Sequence, residues 1–274
     1  MPYSLLSRFQ GGLGGSGVGG KLHPQDPDWL RWDQVQAAVL SQLLESPIFP
    51  SDAAFLPLFP LNDRLPANRW LSGLALGLLP LLLWEYESQP RLPNVVTLLS
   101  LSDQDLAWLW IWAIALHQGL GGQLPDSPHP LPTTHSYPFT QAIRNSITIT
   151  PGQPLPRDQS PLSFALTCAT LTPEDPNLSI HCAQSHSPLA AALTASLMGI
   201  YHGAHLPLGR GQISPTLTRQ DQARQLFARW AGQDKATDAD ITLTLAPGGL
   251  LSPPRPRPLV SQVSMRKKGT GNRE

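Results

Sequence analysis

The chain has 274 residues, 41% of them hydrophobic and only 14% charged, with 19 basic residues balancing 19 acidic ones. That length and apolar content support one large domain or two small ones, and a neutral body lacks the basic footprint of a nucleic-acid binder. The 30 prolines are about twice the usual share; without a repeat period, they predict short helices and long loops.

The N-terminus shows no basic region followed by a continuous apolar run, so no signal peptide is expected. Leu5–Leu22 is predicted to be a helix of small residues. Within it, Gly15-Ser16-Gly17-Val18-Gly19-Gly20-Lys21 ends like a phosphate loop. However, no Ser or Thr follows Lys21 and no β-branched strand precedes Gly11, as that motif demands. Each Gly in place of Ala costs about 0.5–1 kcal/mol in a helix interior, so this helix must depend on packing. After a polar loop from His23 to Asp28, Leu30–Glu45 is predicted as an amphipathic helix, with Leu30, Val35, Ala38, Val39, Gln42 and Leu43 on its apolar face.

Residues 46–68 contain Pro47, Pro50, Pro57, Pro60 and Pro66 and read as an extended connection. Asp63, beside Arg64, reads as solvated or ion-paired. Arg69–Glu85 and Ser102–Leu120 are predicted core helices. Their apolar runs, Trp70 to Trp84 (interrupted by Pro80) and Leu106 to Leu116, fall below the ~18–20 residues a membrane span needs. Ser102 and Asp105 form a capping-box-like start. Trp108, Trp110 and Trp112 cannot share one helical face, so this helix is enclosed on several sides or turns one Trp to a partner. His117 reads as a surface residue or as a cation at the negative end of the helix dipole.

Residues 121–160 are rich in Pro, Ser and His and read as an exposed loop, with a short segment at Phe139 to Thr150. His129 and His135 lack a recognised metal spacing, and the loop suits an insertion. Pro161–Leu171 is predicted as a buried helix. Thr172 as N-cap, Pro173 at N1 and Asp175 at N3 then predict the start of another. Cys168 and Cys182 read as lone buried thiols, which suits a reducing, cytoplasmic setting.

Pro188–His202 is the stretch around which the chain is organised. Pro188 suits a first turn, Ser185 and Ser187 are N-cap candidates, and Gly203 suits a C′ stop. Its small residues Ala190, Ala191, Ala192, Ala195, Ser196 and Gly199 allow close helix approach. Thr218–Ala231 is a last amphipathic helix, with Ala223, Leu226, Phe227 and Trp230 on one face. Asp238-Ala239-Asp240 reads as a solvated acidic loop. From Ser252 onward the chain is Pro/Arg-rich, then basic and polar, and reads as a disordered tail.

Two of these stretches resemble the ADP-ribosylglycohydrolase family. That family opens with Arg-Phe-x-Gly and a small-residue helix ending Gly-Asp-Ala-Leu-Gly; Arg8-Phe9-Gln10-Gly11, Leu13, Gly15, Val18, Gly19 and Leu22 match. Its late motif is Gly-Asp-Thr-Asp-Thr, then Ala-Ala, a small-residue helix and Tyr-x-Gly; Ala191-Ala192, Gly199 and Tyr201-His202-Gly203 match. The segment Ala165-Leu166 to Asp175 is similar to the helix–turn–helix before that motif. The aspartate places hold Gly20, His186 and Pro188, and no early Thr-Asp-Asp-Thr is present.

The resemblance implies an all-α, compact orthogonal multi-helix bundle over residues 1–235, with Pro-rich loops at 46–68 and 121–160, and a tail at 236–274. It points to an acid-poor, cyanobacterial-type divergent member. Active relatives hold two Mg²⁺ ions with clustered carboxylates and cleave glycosidic bonds of ADP-ribose. This chain is therefore expected to be a pseudoenzyme with no catalytic residue, no metal ligand and no cofactor. Its vestigial pocket would comprise Gly19, Gly20, Lys21, Ser185, His186 and Ser187. It would take an ADP-ribose-like or phosphate ligand, or a protein partner, without nucleic acid or membrane. The alternatives are an ADP-ribosyl hydrolase with a rearranged site and an unrelated helical scaffold.

Overall fold

The computed structural model describes residues 3–22, 26–46, 50–60, 66–86, 90–122, 160–204 and 217–232. The described residues form helices and no strand, so the all-α class holds. In chain order the helices are α1 Leu5–Leu22, α2 Pro27–Glu45, α3 Asp52–Phe55, α4 Ala67–Gly77, α5 Leu79–Trp84, α6 Val95–Leu98, α7 Asp103–Leu120, α8 Pro161–Leu171, α9 Pro176–Gln184, α10 Pro188–His202 and α11 Leu217–Trp230. Asp63, His129, His135, the Phe139–Thr150 segment, Asp238 to Asp240 and the tail lie outside the described residues. Among the described residues no helix is long and apolar enough to cross a membrane.

α10 is the centre. Every residue from Leu189 to Tyr201 is buried. Ser187 caps its start, accepting from the Ala190 N–H at 3.1 Å, and Gly203 ends it with φ 73°, a conformation that favours Gly. α1 lies antiparallel along α10, with Gly11 facing Gly199 and Gly15 facing Ala195. A Cβ on Gly11 would fall into the Gly199 carbonyl, and one on Gly199 into the Gly11 carbonyl. The two backbones touch directly, which only small residues permit. α1 and α10 also pack against α7, α8, α9 and α11. Phe9 stands edge-on to Phe227, with ring centres 5.3 Å apart.

Several expectations are corrected. The predicted helix Arg69–Glu85 is two helices, α4 and α5, joined at Leu78. Pro80 has no N–H to return to the carbonyl of Leu76. Buried Gln36 takes that role from α2: its Nε2 donates to the Leu76 carbonyl at 3.1 Å, and its Oε1 accepts from Ser16 Oγ at 2.8 Å. On α2 the buried face is Trp29, Trp32, Val35, Gln36, Val39, Leu40 and Leu43. Leu30, placed on the apolar face by its spacing, is 39% exposed.

Thr172 does not start a helix. A helix begun at Pro173 would place Pro176 at its fourth position, where an N–H must reach the cap carbonyl, and Pro has none. The helix therefore begins at Pro176, with Asp175 as its N-cap accepting from the Leu178 N–H at 3.0 Å. Thr172 closes α8 instead. The connection 46–68 is not wholly extended: α3 and a 3₁₀ turn at Leu56–Leu58 lie within it, and Phe55 and Phe59 are buried. Of the three Trp residues on α7, Trp112 is fully buried and Trp108 and Trp110 are half-buried, so the helix is covered on more than one side.

Two outcomes test this arrangement. Gly11→Ala is expected to lower stability by ~1–3 kcal/mol, because two backbones must part. Gly17, on the same helix, has open space where its Cβ would lie, so Gly17→Ala is expected to raise stability by ~0.5–1 kcal/mol. Urea unfolding midpoints read both, and equal midpoints for the two variants would contradict the close contact. Gln36→Leu orphans the Leu76 carbonyl and is expected to cost ~1–3 kcal/mol. In a Pro80→Ala background, where residue 80 regains an N–H, that cost should shrink; a double-mutant cycle with no coupling would show the bond does not matter.

Candidate functional site

The antiparallel register carries the last turn of α1, with Gly19, Gly20 and Lys21, toward the first turn of α10. Only the backbone of that last turn is described. On the α10 side stand Ser185, His186 and Ser187, all expected pocket residues. Their groups are engaged locally. Ser185 Oγ donates to the Cys182 carbonyl at 2.7 Å. Ser187 Oγ takes the Ala190 N–H, and its carbonyl takes the Ala191 N–H at 3.0 Å. The His186 ring lies on Phe164, with centres 4.4 Å apart and planes 32° from parallel. Pro188 carries no N–H, so of the first turn of α10 the Leu189 amide is what remains for an anion.

At the opposite pole, the start of α1 meets the end of α10. Here the residues of the two family-like motifs meet. Arg8, 5% exposed, donates from Nη1 to the Gly119 carbonyl in the last turn of α7, and from Nε to the Tyr3 carbonyl at 3.2 Å. A cation at the negative end of a helix dipole is well placed. Burial lowers the Arg8 pKa from its ordinary value, while the nearby Tyr86 and Tyr3 phenols oppose that shift. Tyr201 Oη donates to the Ala115 carbonyl at 3.2 Å. His202 Nε2 donates to the Pro173 carbonyl at 2.7 Å. The Ala204 N–H donates to Ser7 Oγ at 2.9 Å.

Beside this pole lies a small open cleft of about 250 Å³, including the solvent at its mouth. Glu85, Tyr86, Arg91 and His117 line it over a floor of Leu82, Ala113 and Leu116. Tyr86 leans on the His117 ring at 5.1 Å, and burial raises its pKa above the ordinary phenol value against the charge of Arg8. His117 sits in the last turn of α7, as one of the two readings has it, and is also a wall of this cleft. Sequence spacing gave no signal for this grouping, because Tyr86 and His117 lie on different elements and meet only through space. Among the described residues, no three of His, Cys, Asp and Glu gather as metal ligands would.

The buried phenols set an alkaline limit. Tyr201 is 5% exposed, and burial pushes its pKa well above the ordinary value. The folded protein thus keeps a proton that the unfolded chain releases near pH ~10. Stability is full below that pH and falls as pH rises through it, because there the unfolded state binds fewer protons. Tyr201→Phe is expected to lower stability at neutral pH by removing the bond to Ala115, and to flatten the decline above pH ~10. Urea midpoints measured across that range check it; an unchanged slope would mean Tyr201 ionises freely.

Compared with protein-family models, characterised proteins and solved structures, the chain matches none.

Proposed function

We propose that this chain is an acid-poor relative of the ADP-ribosylglycohydrolases, with their type of orthogonal helical bundle and without their hydrolysis. It would bind an ADP-ribose-like or phosphate-bearing ligand where α1 ends and α10 begins. The observation that supports this reading is the contact between the two motif-bearing helices. Gly11 of the early motif lies on Gly199 of the late one, so the residues carrying the resemblance act together despite standing at opposite ends of the chain.

The same corner does not fit a binuclear magnesium centre. Mg²⁺ requires near-octahedral oxygen coordination with carboxylates among its ligands. Ser185 and Ser187 spend their hydroxyls on their own backbone, His186 is stacked on Phe164, and Pro188 occupies a helix start. What the corner offers is the positive end of α10 with the Leu189 amide. That suits weak attraction for an anion.

Calorimetric titration with ADP-ribose and with inorganic phosphate, beside a hydrolysis assay using an active relative as control, tests both halves. Weak binding without turnover is the expected result. Magnesium-dependent turnover comparable to the control would establish a hydrolase with a rearranged site. Neither binding nor turnover would leave a helical scaffold.

A further inference from the structure

Cys168 and Cys182 are the two cysteines of the chain, and both are free. They stand on α8 and α9, which run antiparallel with a register visible at three levels. His186 lies on Phe164. Roughly one turn along, Cys182 packs into the cluster of Phe164, Cys168, Ala183 and Ala190. One turn further, Ser179 Oγ is 2.6 Å from Thr172 Oγ1. The thiols therefore face each other between a ring pair and a hydroxyl pair, inside one small apolar cluster. Their exposure differs: Cys168 is 1% exposed, while Cys182 is half-buried, contrary to the reading of both as buried.

We propose that Cys168 and Cys182 form an oxidation site, a facing dithiol that hydrogen peroxide closes to an intramolecular disulfide tying α8 to the α9–α10 corner. The two thiols have unequal parts. Burial and the Cys182 contact hold the Cys168 thiol protonated, with its pKa raised, so the more exposed Cys182 reacts first. Its sulfur attacks one peroxide oxygen; the O–O bond breaks, and the departing oxygen leaves as water with the thiol proton, giving a sulfenic acid at Cys182. The Cys168 sulfur then attacks the Cys182 sulfur, the S–O bond breaks, and the second oxygen leaves as water with the Cys168 proton. Two thiols lose two electrons in all, and one peroxide becomes two waters. A thiol reductant reverses the change.

The full-length protein, reduced and then exposed to hydrogen peroxide, is the test. Intact mass is expected to fall by two hydrogen atoms, both thiols to disappear together from titration under unfolding conditions, and digestion to release one Cys168–Cys182 cross-linked peptide. The oxidised protein should melt above the reduced one, because the link constrains the unfolded chain. In Cys182→Ser, Cys168 should stay titratable after the same exposure. Added oxygen on Cys182 with Cys168 still free, a disulfide between two chains, or a lower melting temperature on oxidation would overturn the proposal.

Discussion

The contact on which the rest of this fold depends is the one between two helix backbones. α1 and α10 approach until Gly11 meets Gly199 and Gly15 meets Ala195 with no side chain between them. Such an approach brings dispersion contacts along the whole length of both helices, but neither face can offer the large apolar groups that normally hold helices together. The large groups sit around the pair instead. Phe9 turns from α1 onto Phe227 and Trp230, and Leu189, Leu193, Leu197 and Ile200 turn from α10 into the main core. Ser196 folds back on its own turn, its Oγ donating to the Ala192 carbonyl at 2.8 Å, while Ser16 and Tyr201 reach to neighbouring helices. The pair is therefore a dry axle, and helices on every side of α10 bury themselves against it.

A chain with so many prolines makes many helix ends, and each end carries unpaired N–H or carbonyl groups. Local caps such as Ser102, Ser160, Asp175 and Ser187 meet the starts, and several other ends are met from neighbouring helices. Arg229 on α11 donates to the carbonyls of Leu43, Leu44 and Ser46 at the end of α2. Arg8 serves the end of α7. Ser72 on α4 accepts the Leu162 N–H at the start of α8 at 3.0 Å. Gln36 covers the carbonyl that Pro80 leaves behind. Arg219 pairs with Asp33 at 2.7 Å, with only 9% of the Arg side chain exposed. Few of these groups are available to a ligand. Arg8, Arg219 and Arg229 thus spend their charge inside the fold, joining elements far apart in sequence.

The same economy shapes what the family resemblance means. Arg8, Phe9, Gly11, Gly199, Tyr201 and Gly203 carry the likeness, and each serves packing or capping. Arg8 closes a helix end, Phe9 stacks a ring, Gly11 and Gly199 bring two backbones together, Tyr201 ties α10 to α7, and Gly203 turns the chain at positive φ. Such residues speak for a way of packing helices. The chemistry of a glycosidic hydrolase resides in other positions, and there this chain has Gly20, His186 and Pro188.

The sequence by itself determined the helices that local rules govern. Pro188 with Ser187 before it and Gly203 after it bounded α10, and Pro161 opened α8, because caps and stops act within a turn. It also singled out the small residues on which the axle rests, and it placed Ser185, His186 and Ser187 at a helix start. Only the tertiary structure decided which small residue meets which, since close approach is a property of two helices together. It decided that Leu30 faces outward, because α2 is clamped through Trp32 and Gln36, whose partners lie on other helices. It decided that Pro176 rather than Pro173 opens α9, that Tyr86 and His117 share a cleft, and that Cys168 faces Cys182. Each of these depends on distance through space, which the order of residues along the chain does not encode locally.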